Sequence, residues 1–369
     1  MTSWNLLHIN TERDWRGGEY QTLLLAQGLR ARGHRCWLAA PGGSPLEGRA
    51  LEMGLEVLSF SCRGEFDLKA IRRLAHLLDA HSPRLLHYHT SHAITLGSLA
   101  SLWAGRRLAV ASRRVSFPLS RNPLARLKYT WRVDRVIAVS EAIRDALLSA
   151  GVPGERVAVI PSAVDLERLR ATADRPAGRR DLGIGEGEFL VGALGHLAPH
   201  KGHAVLVEAA RRVVAREPKF RFVLTGKGEE EADLRRQIEA AGLSSVFRLT
   251  GFRKEVAAIL SALDVLAFPS LSGEGSPAVL KEAMACGVAV VASDISGVGE
   301  IIQTGREGLL VPSGDPEALA EALLRLARDR ELRVECARRG RERSLDFSVT
   351  SLVDRTEALY QDLMEAGRR

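Results

Sequence analysis

Short apolar runs, rich in β-branched residues, alternate with longer segments of helical periodicity along most of the chain. This alternation is typical of a parallel sheet whose strands are joined by crossover helices, so it predicts the α/β fold class. Strands are predicted at residues 4–10, 35–40, 55–60, 84–89, 108–112, 135–139 and 157–161, and then at 189–195, 220–226, 247–251, 265–269, 288–293 and 308–311. The predicted helices include residues 19–32, 67–81, 204–216 and 277–286.

The strands form two series, one in each half of the chain. The length of 369 residues also fits two domains, at roughly 150 residues each. Residues 174–188 separate the two series and are rich in glycine and charge, as an interdomain linker is. We therefore predict two Rossmann-like, doubly wound parallel-sheet domains at residues 1–173 and 189–348, with ligand sites at the carboxyl ends of the strands. A final helix at residues 349–367 can pack back on the first domain or on the second.

Composition narrows the class of protein. Hydrophobic residues make up 46% and charged residues 26%, as in a soluble globular protein. No apolar run is long enough to span a bilayer, and residues 1–10 lack a signal-peptide pattern, so we expect a cytoplasmic protein. The four scattered cysteines suggest neither disulfides nor a zinc site. The net charge of +7 favours an anionic partner, while the sparse aromatic residues argue against nucleic acid.

The strongest local signal is the run from Gly273 to Gly287, directly after a predicted strand. Ser276 is a good N-cap, Pro277 fits the first helical position, and Gly287 suits a left-handed stop. The amino end of such a helix attracts phosphate, and Glu274 and Glu282 can accept hydrogen bonds from sugar hydroxyls. The alternative is an ordinary capped helix with two solvated glutamates.

Lys201 lies in a second candidate loop, Gly195 to Gly202, at the end of the first strand of the second series. Its glycines allow close approach to a ligand, and its ammonium can neutralise a diphosphate without metal. The alternative is a plain turn, and the loop is not a Walker motif.

Two weaker signals lie in the first series. Gly17 and Gly18 follow the first strand and suit close approach of a phosphate or sugar, or else form only a turn. His87 and His89 share one face of the strand at 84–89, and His92 follows them. Metal ligation by these histidines is disfavoured because no carboxylate or cysteine accompanies them, so no metal is expected.

These pieces occur in a fixed order that resembles the family-four, group 1 retaining glycosyltransferases, which have two Rossmann-like domains facing a central cleft (GT-B). The resemblance covers nearly the whole chain. It rests on Arg-Gly-Gly-Glu at 16–19, His-x-His at 87–89, segments 139–141 and 159–165, the loop 195–202, Leu-Thr-Gly-Lys-Gly at 224–228, and E-x7-E at 274–282.

The resemblance implies roles for individual residues. Glu282 would bind the ribose of a nucleotide-sugar donor, Glu274 and His89 the donor sugar, and Lys201 the diphosphate. The remaining donor-binding positions would be Gly17, Gly18, His196, Gly226, Gly275, Ser276 and Pro277. His196 departs from the family, which usually has arginine there, and imidazole is a less dependable cation. Either another cation shares the phosphate charge or activity is reduced, and Lys281 is that cation or points to solvent.

The implied reaction transfers the sugar with retention of configuration and needs no metal or other cofactor. Lys201 and the helix dipole would stabilise the leaving diphosphate. Same-face attack would let the donor phosphate accept the acceptor's proton.

A basic stretch in the first domain is the candidate acceptor or membrane region. Its residues are Arg113, Arg114, Arg126, Lys128 and Trp131. A basic amphipathic helix with tryptophan can lie on an anionic leaflet, and the two arginines can meet phosphates of a lipid-linked acceptor. We expect a glycan or lipid-linked acceptor in lipopolysaccharide or other cell-surface polysaccharide synthesis, at the inner face of the cytoplasmic membrane. The alternative is a helix whose apolar side chains pack on the domain and whose basic face is exposed to solvent.

Other functions remain open at this point. A nucleotide-sugar 2-epimerase can share the architecture but should lack the E-x7-E loop. A catalytically weak nucleotide-sugar binding protein and a transferase acting on a small soluble acceptor are the remaining alternatives.

Overall fold

The structure is a computed structural model that describes residues 3–115, 123–253 and 256–366. It divides into two compact units, residues 1–163 with 349–369 and residues 164–348. Each unit is built on one all-parallel sheet, so the predicted α/β class with two doubly wound sheets is confirmed.

The first unit contains seven strands in the order β3-β2-β1-β4-β5-β6-β7. Its elements are β1 Asn5–Ile9, α1 Gly17–Ala31, β2 Arg35–Pro41, α2 Pro45–Glu52, β3 Glu56–Phe60, α3 Leu68–His81, β4 Leu85–Tyr88, α4 Ser91–Trp103, β5 Leu108–Arg113, α5 Pro123–Thr130, β6 Arg135–Ala138, α6 Glu141–Ser149 and β7 Val157–Val159. All seven coincide with predicted strands.

The second unit contains six strands in the order β10-β9-β8-β11-β12-β13. The elements from residue 164 onward are α7 Leu166–Thr172, α8 Arg175–Asp181, β8 Phe189–Leu194, α9 His203–Arg216, β9 Phe220–Thr225, α10 Glu231–Ala240, β10 Phe247–Gly251, α11 Val256–Ala262, β11 Val265–Phe268, α12 Ala278–Ala285, β12 Ala289–Ser293, β13 Gly308–Val311, α13 Pro316–Arg328, α14 Arg330–Ser344 and finally α15 Val349–Ala366. These six strands also coincide with the predicted ones.

Both faces of the first sheet are covered. Leu7 of β1 belongs to the core under α3 and α4, whereas its neighbour Leu6 belongs to the core shared with α15, as expected from the alternation of side chains along a strand. The final helix α15 lies against α1, where Gly28 leaves room: a Cβ there would come within 2.3 Å of Val353. Helix α15 therefore completes the first unit.

The expected linker differs from the structure. The division between the units falls between Ala163 and Val164, upstream of residues 174–188. Helix α8 occupies much of the expected linker and packs closely on α11, where a Cβ on Gly178 would lie 2.2 Å from the Ala258 carbonyl oxygen. Asp174 caps α8 by accepting from the Ala177 amide. Residues 174–188, whose composition predicts a linker, therefore belong to the folded second unit.

Candidate functional site

Two loops meet at the carboxyl ends of the neighbouring strands β8 and β11. The Leu271 amide donates to the His200 carbonyl at 2.8 Å. Gly202 has a φ of +64°, and a Cβ there would lie only 2.1 Å from the Pro269 carbonyl oxygen. A side chain at 202 would push the loops apart, so this glycine places Lys201 beside the loop that carries Glu274.

Lys201 and Glu274 form an ion pair within this loop cluster. The Lys201 ammonium donates to Oε1 of Glu274 at 2.5 Å, and the Ser270 hydroxyl donates to the same oxygen at 2.9 Å. Glu274 is only 7% exposed, and these donors replace hydrogen bonds to water that burial removes. The structure therefore brings together the two side chains that the sequence assigned to the diphosphate and to the sugar.

Helix α12 begins one residue later than predicted. Its N-cap is Pro277, with no side-chain cap, and Gly287 follows the helix with a φ of +71°. The prediction of Ser276 as the N-cap is therefore wrong, while the left-handed stop is confirmed. The Ser276 hydroxyl instead accepts a hydrogen bond from the Lys281 ammonium at 2.6 Å. Of the two orientations considered for Lys281, the one toward solvent is wrong, because the residue is fully buried.

Glu282 lies in the middle of α12 and is partly buried. Burial raises the pKa of this carboxyl, while the positive charges of Arg168 and Lys281 oppose the rise. Arg168 belongs to α7, in the stretch before the expected linker, and no local pattern pointed to it. The structure thus places an arginine charge near the carboxylate assigned to the ribose.

His196 and Gly226 have structural partners in the same unit. The His196 ring lies 3.0 Å from a carboxylate oxygen of Glu229, and both side chains are exposed. Its carbonyl faces Nε2 of the buried His203 at 3.3 Å. A Cβ on Gly226 would lie 1.8 Å from the Gly195 carbonyl oxygen. Gly226 is therefore required for contact between two loops, whatever it does for a donor.

Gly17 and Gly18 form the first turn of α1 and do not precede the helix as predicted. A Cβ on either would meet no described atom within 4 Å. The Arg16 amide donates to the Glu19 carboxylate at 2.9 Å, and the Asn10 side chain donates to its other oxygen at 3.3 Å. The amino end of this helix is thus held in place while its surface remains open.

His87 and His89 lie on one face of the first sheet, as predicted, with ring centroids 4.1 Å apart. His8 of β1 joins them: its Nδ1 lies 2.9 Å from Nε2 of His89. Arg114 lies 3.2 Å from Nδ1 of His89. Because arginine only donates, that nitrogen must accept, and the His89 proton belongs on Nε2, where it is shared with His8. Burial lowers the pKa of His8 to about 3 and that of His89 well below its usual value.

The three buried rings bring nitrogen ligand atoms within 4.8 Å of one another. The nitrogens of His87 already bind the Tyr360 hydroxyl at 2.5 Å and the Ser112 hydroxyl at 2.7 Å. A metal would have to displace these bonds as well as the one between His8 and His89. His92 is exposed beside Glu65, outside this trio.

The predicted basic stretch does not form one face. Arg113 is buried and donates to the Tyr129 hydroxyl at 3.0 Å, and Arg114 is directed to His89. Lys128 binds Glu65 at 2.6 Å. Arg126 is exposed on α5, and Trp131 after it is 38% exposed. Arg113 and Arg114, which were predicted to meet acceptor phosphates, have their guanidinium groups on Tyr129 and His89. Residues 116–122 lie outside the described structure.

Two all-parallel sheets flanked by helices, with loop clusters at the carboxyl ends of their strands, define a protein of the doubly wound α/β class. The chain also matches two known protein families. Residues 174–343 match the family described as glycosyl transferases group 1, and residues 15–168 match glycosyltransferase family 4.

The phosphatidyl-myo-inositol mannosyltransferase of Mycolicibacterium smegmatis is 31% identical over 367 residues, which cover 95% of this chain and 91% of that protein. An Escherichia coli UDP-Gal:alpha-D-GlcNAc-diphosphoundecaprenol alpha-1,3-galactosyltransferase is 26% identical over 319 residues, covering 81% of this chain and 80% of that one. The chain spans 65% of the length of WcaL from Salmonella typhimurium, to which it is 31% identical over 276 residues. The chain belongs to the family 4, group 1 glycosyltransferases.

Solved structures agree on the fold. Anabaena HepE in complex with UDP and glucose superposes with a TM-score of 0.84 at 23% identity, covering 97% of this chain and 100% of HepE. A glycosyltransferase from Rickettsia africae gives a TM-score of 0.88 at 17% identity, covering 99% of both chains. Among the described helices, none combines the length and apolar character needed to cross a membrane.

Proposed function

We propose that the chain is a retaining glycosyltransferase that moves a sugar from a nucleotide-sugar donor to a glycan or lipid-linked acceptor. The observation that carries this proposal is the ion pair of Lys201 and the buried Glu274, in the loop that leads into α12. A cation, a carboxylate and the amino end of a helix are the groups needed for a diphosphate attached to a sugar.

Donor binding would exchange partners within this cluster. Lys201 turns from Glu274 to the diphosphate, and Glu274 then accepts hydrogen bonds from sugar hydroxyls. Glu282 binds the ribose, while the backbone of Gly275, Ser276 and Pro277 approaches the phosphates. The names of the solved HepE complexes, with UDP and with UDP-glucose, support a donor of this chemical class.

The reaction proposed here needs no metal, because the chain supplies its own positive charge. Lys201 and the amide groups at the start of α12 stabilise the negative charge that develops on the departing oxygen. The acceptor attacks the face from which the diphosphate leaves, and a donor phosphate oxygen takes the acceptor's proton, so the configuration is retained. His89 stays assigned to the donor sugar.

For the acceptor, we favour a lipid-linked or glycan substrate of cell-surface polysaccharide synthesis, at the cytoplasmic face of the membrane. Two relatives are named for lipid-linked acceptors, a diphosphoundecaprenol and a phosphatidyl-myo-inositol. Leu127 and Trp131 expose 49% and 38% of their surface beside the exposed Arg126, a combination that suits contact with an anionic lipid surface. Binding to phosphatidylglycerol vesicles at low salt, weakened by Trp131→Ser with Trp103→Ser as control, tests this part; no binding would remove it.

The donor is tested with a panel of UDP-, GDP-, ADP- and CMP-sugars in EDTA. The expected result is thermal stabilisation and slow release of nucleotide with one donor. Glu274→Gln should lose the release but keep the stabilisation, and Glu331→Gln, which changes an exposed glutamate, should keep both. Binding without release, in any acceptor mixture, would favour the alternative of a nucleotide-sugar binding protein. Absence of binding to every donor would contradict the proposal.

A further inference from the structure

Lys281 is the fully buried lysine of α12. Its Nζ lies 2.6 Å from the Ser276 hydroxyl oxygen, 3.4 Å from the Ser276 carbonyl oxygen and 5.0 Å from the centre of the Phe347 ring. Burying an ammonium is costly unless nearby groups compensate for lost hydration. A hydrophobic residue at this helical position would avoid that cost, so the presence of lysine calls for a role.

Protonation of Lys281 sets the direction of its contact with Ser276. In the charged form the ammonium group only donates, so the Ser276 hydroxyl oxygen is then the acceptor. The hydroxyl hydrogen must then point away from Lys281, and Ser276 is partly exposed in the loop that precedes α12. A hydroxyl that accepts from a cation is polarised and becomes a stronger donor to an anion.

A further cation near the loop cluster would help to neutralise a bound diphosphate. Lys201 is neutralised by Glu274, and the exposed His196 ring lies beside Glu229. A diphosphate brought to this cluster carries more negative charge than one shared lysine compensates.

We propose that Lys281, acting through the Ser276 hydroxyl, supplies positive charge to the diphosphate of a nucleoside diphosphate or nucleotide sugar. This inference rests on the proposed function and adds a residue to its donor site. Lys281 is a positioning residue here, because Ser276 makes the contact with the phosphate.

The charged groups around Lys281 fit this role. Glu282 on its own helix and Glu300 favour its charged form, and burial opposes them, lowering the pKa of Lys281 to about 7. Helix α14 brings Arg343, whose guanidinium lies 5.2 Å from the Phe347 ring, and α7 brings Arg168. Helix α11 and strands β11 and β12 also pack against α12 and contain no charged residue. An anion at Ser276 would therefore favour protonation of Lys281, and binding should take up a proton near neutral pH.

The test measures UDP, GDP and ADP binding by calorimetry at pH 7.5, in two buffers that differ in ionisation enthalpy. The wild-type protein should bind one of them with net proton uptake. Lys281→Met, which keeps the volume, should bind it about 10-fold more weakly and without the uptake. Lys219→Met, at an exposed position, is the matched control and should behave as wild type.

Ser276→Ala provides an independent arm that needs no change in the core. It should weaken nucleotide binding as much as Lys281→Met does. The double variant should bind the nucleotide as tightly as either single variant, because both substitutions remove the same Lys281–Ser276–phosphate interaction. If Lys281→Met does not fold, Ser276→Ala decides alone through affinity and proton uptake. Unchanged affinity and uptake in a folded Lys281→Met or in Ser276→Ala, with wild-type binding intact, overturns this inference only. Absence of nucleotide binding by the wild-type protein overturns the proposed function as well.

Discussion

The ammonium nitrogen of Lys201 lies 2.5 Å from Oε1 of Glu274, although 73 residues separate them in the chain. Gly202 allows the contact by admitting the Pro269 carbonyl where a side chain would stand. Because Lys201 is already paired with Glu274, any anion that binds Lys201 must compete with this carboxylate.

Substituting Glu274 and substituting Lys201 should have opposite effects on nucleotide binding. Glu274→Gln removes the competitor of a diphosphate, so UDP, or whichever nucleotide binds, should bind more tightly while sugar transfer falls. Lys201→Gln removes the cation, and affinity should fall about 10- to 100-fold, the range for hydrogen bonds to charged groups. Calorimetric titration measures both. Equal weakening by the two substitutions would contradict competition between Glu274 and the phosphate.

Gly202→Ala should be far more damaging than Gly183→Ala. Both glycines have similar positive φ angles, +64° and +67°, so each substitution carries a backbone cost of about 1–2 kcal/mol. Only at Gly202 would the new Cβ meet backbone, at 2.1 Å from the Pro269 oxygen, whereas the space around Gly183 is open within 4 Å of described atoms. Gly202→Ala should therefore lower Tm further and weaken nucleotide binding. Similar Tm values for both variants would argue against a tight approach of the two loops.

Arg114 should determine which nitrogen of His89 carries the proton. Nitrogen-15 NMR of the histidine side chains should show His89 protonated at Nε2 in the wild type. Arg114→Met removes the donor to Nδ1, and leaving that buried nitrogen unpaired should lower the free energy of unfolding by about 1–3 kcal/mol. Arg73→Met, an exposed change on α3, serves as control. A His89 spectrum that does not change in Arg114→Met would show that the contact does not govern the tautomer.

Mild acid should destabilise both units through their buried histidines. Burial lowers the pKa of His8 to about 3 and that of His203 to about 4. The unfolded chain binds a proton at each near pH 6.5, and the folded chain resists it, so the free energy of unfolding falls as pH drops below about 6.5. The loss should be about 2 kcal/mol per histidine at pH 5. Urea unfolding of wild type and His203→Asn at pH 7.5 and 5 checks it; equal pH dependence of the two proteins would exclude His203 as a cause.

The sequence predicts much of the fold because each strand carries its own local signal. The run Phe189–Leu194 is apolar throughout and β8 is buried throughout. Helix α8 was missed because its residues are charged and glycine-containing, and its packing on α11 depends on contacts 80 residues away. A propensity argument over a short window contains no information about such distant partners.

The candidate site likewise contains residues that local sequence patterns predict and others that depend on distant contacts. Glu274 and Lys201 could be proposed from their loops, and the structure brings them together. Ser276 matched the pattern of an N-cap, but the partner of its side chain is Lys281, a residue inside the following helix. His8 has no motif around it and joins His89 only because β1 and β4 are neighbours in the sheet.

The return of α15 to the first unit has a consequence for synthesis on the ribosome. Tyr360 hydrogen-bonds His87, and Glu357 lies 3.0 Å from the ring of His34. The strands around these histidines leave the ribosome before the second unit, whereas the helix that covers them leaves after it. The second unit, whose segment is continuous, can finish folding first, while one sheet face of the first unit remains covered only in part. A nascent chain truncated before residue 349 should therefore display an apolar surface that chaperones recognise.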